Sequence, residues 1–144
     1  MALDLEKMGI AARNAAFKLA QMSTEQKNMI LKAMAQALVD NAATIITANQ
    51  VDLAKATEMK ASFVDRLTLD EARIKDIAEG LKQVAALPDP IGNIDKGWIN
   101  QNGLQIVQRR VPLGVVGMIY EARPNVTVDA AGLCFKAGNA VILR

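Results

Sequence analysis

Apolar residues return every three or four positions near the start of the chain, at Leu5, Met8, Ala12, Ala15, Ala16 and Leu19, while Lys7, Arg13, Asn14, Lys18 and Gln21 fall largely on the other side. That period predicts an amphipathic helix over residues 3–21. Ser23 followed by Gln26 fits a capping box, in which hydroxyl and amide satisfy backbone groups left unpaired at a helix start. A second helix is therefore expected to reach about Val39, burying Ile30, Leu31, Met34 and Leu38 and exposing Glu25, Asn28, Lys32 and Gln36. A third, shorter helix is expected over residues 42–48 with Asn49 ending it, and a further turn or two over residues 51–59. Thr68 with Glu71 repeats the capping-box spacing. The helix it opens carries Ile74, Ile77, Ala78, Leu81, Val84 and Ala85 on one face until Pro88 and Pro90 stop it after Leu87.

After Pro90 the period changes from helical to extended. Residues 97–100 and 104–111 read as two strands around Asn102 and Gly103, a strong hairpin signal. Leu104, Ile106 and Gln108 alternate with Gln105, Val107 and Arg109, which predicts one dry and one wet face; Trp98 reads as a packing anchor against another sheet or subunit. Residues 113–120 and 140–143 are apolar without alternation, as expected of parallel strands covered on both faces. Between them, residues 126–137 are apolar nearly all round and predict a buried helix, with Lys136 near its negative end and Gly138 as its terminating residue. The order strand, helix, strand predicts a right-handed parallel crossover. The divisions are a helical layer over residues 1–90, a hairpin arm over 91–111 and a βαβ unit over 112–144.

Composition narrows the picture mainly by exclusion. The 144 residues are 51% apolar, enough for a sizeable core, and the formal charge is only +2 with both signs interleaved. Neither the charge nor the 3% aromatic content argues for a nucleic acid or an anionic membrane as partner. No apolar run approaches the roughly 18 residues of a membrane span, and the amino terminus is amphipathic rather than a leader-like apolar block. One cysteine forms no internal disulfide, which fits the cytoplasm, and the absence of histidine removes histidine triads and histidine metal sites; no metal is expected.

The candidate chemistry lies in the turn between the first parallel strand and its helix, at Tyr120, Glu121, Ala122, Arg123, Pro124 and Asn125. Unpaired N–H groups at the helix start, at the carboxyl end of a parallel strand, suit an anion or a developing oxyanion. Asn125 is equally a preferred capping residue, and Arg123 either pairs with Glu121 or faces a carboxylate or phosphate. Gly114 and Gly117 do not make the G-x-G-x-x-G of a standard dinucleotide loop. Cys134, mid-helix in an apolar stretch, reads as a small core residue.

The segment RRVPLGVVGMIYEARPNVTVDAAGLCFKAGNAVILR resembles gamma-glutamyl phosphate reductases, most specifically in YEARPNVTVDAA and KAGNAVILR, and ASFVDRLTLDEARI extends the resemblance upstream over essentially the whole chain. The resemblance implies an α/β, aldehyde dehydrogenase-like fold: a helical layer, an oligomerisation hairpin, and the first βαβ unit of a Rossmann-like NADP domain. It also implies NADPH-dependent reduction of L-glutamyl 5-phosphate to glutamate 5-semialdehyde and phosphate in proline biosynthesis, through a cysteine thioester, by a cytoplasmic homo-oligomer. By the same resemblance Asn125 takes the place of the oxyanion donor, a role worth about 3 kcal/mol. Tyr120, Glu121, Ala122 and Pro124 would line the cofactor cleft, Arg144 would suit the 2′-phosphate of NADPH, and Arg123 is a candidate for the substrate phosphate or carboxylate. The family's nucleophilic cysteine lies in a later segment, so this chain by itself is expected to be an inactive fragment. The alternative expectation is a non-catalytic helical assembly module. A carbon-chain aldehyde dehydrogenase is disfavoured because YEARPN stands where that group more usually has Trp-Asn.

Overall fold

The computed structural model describes residues 4–121 and 123–144. Five helices come first: α1 (Leu5–Leu19), α2 (Thr24–Asp40), α3 (Ala42–Lys55), α4 (Ala61–Leu67) and α5 (Glu71–Ala86). A hairpin of β1 (Ile94–Ile99) and β2 (Gln105–Arg109) follows, and β3 (Val115–Met118), α6 (Pro124–Lys136) and β4 (Ala140–Leu143) close the chain. The Ser23 capping box is formed, with Ser23 N–H donating to Gln26 Oε1 at 2.9 Å and Gln26 N–H to Ser23 Oγ at 3.2 Å.

The main core lies where α2, α5 and α6 meet. Leu31 and Ala35 face Ala78, Leu81 and Ala85, with Val128 and Phe135 of α6 packed against them. Gly132 permits this approach, because a Cβ there would stand 2.5 Å from Leu81 Cδ2. Phe135 also touches a smaller cluster of Ala16, Leu19 and Ala140, so α1 is docked on β4. The end of α6 is a Schellman motif: Gly138, at φ +71°, donates to the Phe135 carbonyl and Asn139 N–H to that of Cys134.

Several expectations are corrected. Helix α3 continues through Asn49 to Lys55, because the Asn49 amide turns inward instead of ending its own helix: it donates to the Leu67 carbonyl and accepts from Leu69 N–H, both at 2.8 Å. Thr68 does not cap α5. It ends α4, its hydroxyl bonded to the Val64 carbonyl, and Asp70 caps α5 by accepting from Arg73 N–H at 2.7 Å. The hairpin loop runs over residues 100–104, closed by Asn100 Oδ1 accepting from Asn102 and Leu104 N–H, with Gly103 at φ +80°. Neither face of the hairpin is dry: Ile94, Trp98, Ile99, Leu104 and Val107 are all more than half exposed.

β3 and β4 pair in parallel from Val115 with Ala140 to Met118 with Leu143, as expected of the crossover. Coverage of the sheet is incomplete, however: exposed and half-buried residues alternate along β3, whereas β4 runs from the buried Ala140 to half-buried positions. Ile119 remains 87% exposed beyond β3, and Leu133 leaves one side of α6 open, so that helix is not buried all round.

Two lysines are buried, Lys27 near the start of α2 and Lys136 at the end of α6. Lys27 Nζ reaches Asp89 Oδ2 at 2.5 Å and the Lys136 carbonyl at 3.1 Å, while Lys136 Nζ donates to Asn28 Oδ1 and the Ala85 carbonyl. This knot joins the start of α2, the end of α5 and the end of α6.

Candidate functional site

The turn is held from both sides. The parallel ladder continues past β3 and β4, with Arg144 N–H donating to the Met118 carbonyl at 2.9 Å and Tyr120 N–H to the Arg144 carbonyl at 2.8 Å. The Tyr120 hydroxyl shares a hydrogen bond with Thr127 Oγ1, which ties the strand end to the first turns of α6. Tyr120 and Arg144, far apart in sequence, are thus neighbours at the carboxyl edge of the sheet.

Asn125 does not cap α6. Arg123 occupies the cap position without a side-chain hydrogen bond, and Pro124 takes the first helical position, which its fixed φ and missing N–H suit well. That puts Asn125 at the second helical position, two residues past the cap, where its Nδ2 donates to Asp129 Oδ2 at 3.3 Å. Capping therefore does not account for this residue. Arg123 forms no ion pair with Glu121 among the described residues; Glu121 instead borders a separate recess with Met59, Lys60 and Phe63.

Arg123, Pro124 and Asn125 line one side of a cavity of about 340 Å³, near the lower end of small-molecule sites. Its other side is built from α4, the α4–α5 connection and the start of α5, with Asp65, Arg66, Thr68, Arg73 and Asp76 among its walls. Asn49 braces this wall through the backbone on either side of Thr68. Arg73 braces it again, donating to Asp65 Oδ1 at 2.6 Å, to the Thr68 carbonyl at 2.8 Å and to the Asp65 carbonyl. The Asp65 carboxylate pushes the Arg73 guanidinium above its ordinary pKa, so Arg73 stays charged and engaged. Arg66 lies with its guanidinium 5.8 Å from the centre of the Phe63 ring, a cation–π contact that steadies the group without using its N–H donors.

The structure thus gathers three of the expected site residues, Arg123, Pro124 and Asn125, around one cavity. Tyr120, Glu121 and Arg144 lie outside it, and Ala122 lies outside the described residues. Asp65, Arg66, Arg73 and Asp76 escaped the sequence reading because charges at helical spacing look like a solvated face. The available signal was the density of charge there, four carboxylates, two guanidiniums and one ammonium within residues 65–76. Cys134 is half-buried away from the cavity, and burial pushes its thiol above the ordinary pKa, the reverse of an activated nucleophile.

No family model matches the chain. Among curated relatives, the gamma-glutamyl phosphate reductase of Ligilactobacillus salivarius is 60% identical over all of this chain, which covers 35% of that enzyme. That of Caldanaerobacter subterraneus is 58% identical over 99% of the chain, again 35% of the enzyme. By sequence, the chain is similar over its whole length to gamma-glutamyl phosphate reductases, and it spans about a third of the length of these relatives. Solved structures agree. The reductase of Thermotoga maritima superposes with a TM-score of 0.93 at 38% identity over 98% of this chain and 34% of its own. That of Saccharomyces cerevisiae superposes with a TM-score of 0.91 at 34% identity, over 100% and 37% respectively. The turn and every residue lining the cavity fall within the stretch shared with the Ligilactobacillus reductase.

Proposed function

We propose that this chain forms the oxyanion side and one cofactor wall of an aldehyde dehydrogenase-like enzyme that reduces L-glutamyl 5-phosphate to glutamate 5-semialdehyde and phosphate with NADPH, in proline biosynthesis. The observation that carries the reading is Asn125, which is released from capping and placed beside Arg123 on the wall of a cavity at the start of α6. In that role the Asn125 amide donates to the acyl oxygen as it gains negative charge, and Arg123 offsets the charge of the departing phosphate.

The remaining turn residues suit a nicotinamide dinucleotide. Tyr120, Glu121, Ala122 and Pro124 follow the carboxyl end of β3, where open α/β sheets hold such ligands, and the exposed Arg144 at the end of β4 suits a 2′-phosphate. NADPH, when bound, supplies the hydride. Tyr120, tied to Thr127 and to the Arg144 backbone, keeps the wall of the cleft fixed. The nucleophilic thiolate belongs to another part of the family's enzyme, since Cys134 is unsuited to the role. Uncovered apolar residues on the hairpin, Trp98, Ile99 and Val107, favour its use as a contact between subunits of a cytoplasmic homo-oligomer.

The test is a chimeric reductase in which this segment replaces the matching third of the Ligilactobacillus enzyme. It is expected to reduce glutamyl phosphate with NADPH, while the 144-residue chain assayed alone shows no turnover. An inactive chimera that folds and binds NADPH would defeat the reading, and so would turnover by the isolated chain.

A further inference from the structure

Three charged side chains around the cavity have no ionic partner within 4.0 Å among the described residues: Arg66, Asp76 and Arg123. The other two charges there, Arg73 and Asp65, satisfy each other. A recess that offers two unengaged cations and one unengaged anion is complementary to a ligand with two anionic groups and one cationic group. An amino-acid acyl phosphate has that pattern, with its phosphate, α-carboxylate and α-ammonium.

The placement of the three groups divides the ligand between them. Arg123 stands beside Asn125 at the start of α6, so it belongs to the reacting end. Arg66 and Asp76 come from the last turn of α4 and the second turn of α5, the opposite wall. We propose that Arg66 and Asp76 form the subsite for the amino-acid head, Arg66 holding the α-carboxylate and Asp76 the α-ammonium. Arg66 keeps its donors free while stacked on Phe63, and Arg73 and Asn49 fix the connection between the two elements. The cavity thereby selects an α-amino acid over other acyl phosphates of the same length. This assignment rests on the function proposed above, with Asn125 at the acyl carbon.

The experiment compares three substrates in the chimeric reductase: glutamyl phosphate, its des-amino analogue glutaryl phosphate, and its decarboxylated analogue 4-aminobutyryl phosphate. The parent enzyme is expected to prefer glutamyl phosphate over each by about tenfold or more in kcat/KM, the worth of one charge-assisted hydrogen bond. Asp76→Asn should abolish the preference over glutaryl phosphate while keeping that over 4-aminobutyryl phosphate, and Arg66→Gln should do the reverse. Both losses should appear mainly in KM. If both variants keep the parental preferences, or weaken all three substrates equally, the subsite is wrong although the reductase reading stands. If the parent itself does not turn over glutamyl phosphate, the functional reading fails and the subsite with it. Melting temperatures of the two variants within a few degrees of the parent separate these outcomes from unfolding.

Discussion

At the carboxyl end of α6, Lys136 is 3% exposed, and its ammonium is taken up by Asn28 and the Ala85 carbonyl. At the amino end, the exposed Arg123 caps nothing and pairs with no carboxylate among the described residues, and the Asn125 side chain beside it makes one long hydrogen bond, to Asp129 at 3.3 Å. One helix therefore has an end where polar groups are consumed by structure and an end where they are left available. At the first end Lys27 even places its ammonium on the last helical carbonyl, where the helix dipole favours a cation. Burial of charge thus does not mark function in this chain. Completeness of partnering separates the two ends: both buried lysines are fully engaged, whereas Arg123 has no ionic partner among the described residues.

The sharpest break in this contrast is Asn125→Ala in the chimeric reductase. Removing an oxyanion donor is expected to lower kcat by about a hundredfold or more, with NADPH affinity nearly intact and little change in melting temperature. An unchanged kcat would make the amino end of α6 as structural as the carboxyl end.

The opposite pattern is expected of Asp89→Ala, which removes the carboxylate from the buried knot. Leaving Lys27 without its counter-charge should cost roughly 3–5 kcal/mol by urea denaturation of the 144-residue chain. A loss below about 1 kcal/mol would mean that the knot is not a structural device. Acid behaviour gives an independent reading of the same group. Burial works to raise the Asp89 carboxyl, but hydrogen bonds from Lys27, Ile91 N–H and the Thr24 hydroxyl outweigh it and hold the group below its ordinary pKa. A carboxyl depressed on folding stabilises the protein above its unfolded pKa, near 4, and this contribution disappears as the pH falls through the lower folded value. The slope of stability against pH below about 4 should therefore be shallower in Asp89→Asn than in the parent.

Between its two ends α6 also depends on close packing against α2 and α5. Gly132→Ala would set a Cβ 2.5 Å from Leu81 Cδ2, and Leu81 is buried among Leu31, Ala78 and Ala85 with little room to retreat. Overpacking of this kind is expected to cost about 1–3 kcal/mol, again by urea denaturation. A neutral substitution would show that α6 slides on α5, in which case Arg123 and Asn125 are less firmly positioned than the contrast between the two ends requires.

Much of this was legible from residue spacing. The capping box at Ser23, the face of α5 from Ile74 to Ala85, the hairpin and the crossover from β3 to β4 all follow from local period and turn chemistry, which act over a few residues. Asn49 departs from its expected place because its partners are distant in sequence, the backbone at Leu67 and Leu69, and the contact of Lys27 with Lys136, across 109 positions, leaves no local signal either. The same limit hid half of the candidate site. Arg123 and Asn125 stood out beside an apolar strand, whereas Arg66 and Asp76 become site residues only when α4 and α5 are brought against the start of α6.

The smallest effect is expected at Cys134, between the two ends. As the only cysteine it is the obvious nucleophile by composition, yet it is half-buried on a helix and burial raises its thiol pKa, so little thiolate is present at neutral pH. Cys134→Ala removes one sulfur from a partly covered position. It should cost about 1 kcal/mol or less in stability and leave kcat of the chimeric reductase within about twofold of the parent. Alkylation by iodoacetamide at pH 7 should be slower at Cys134 than at a free model thiol. Loss of activity in Cys134→Ala, with stability retained, would place the reacting sulfur inside α6 and remove the division between its structural and its available end.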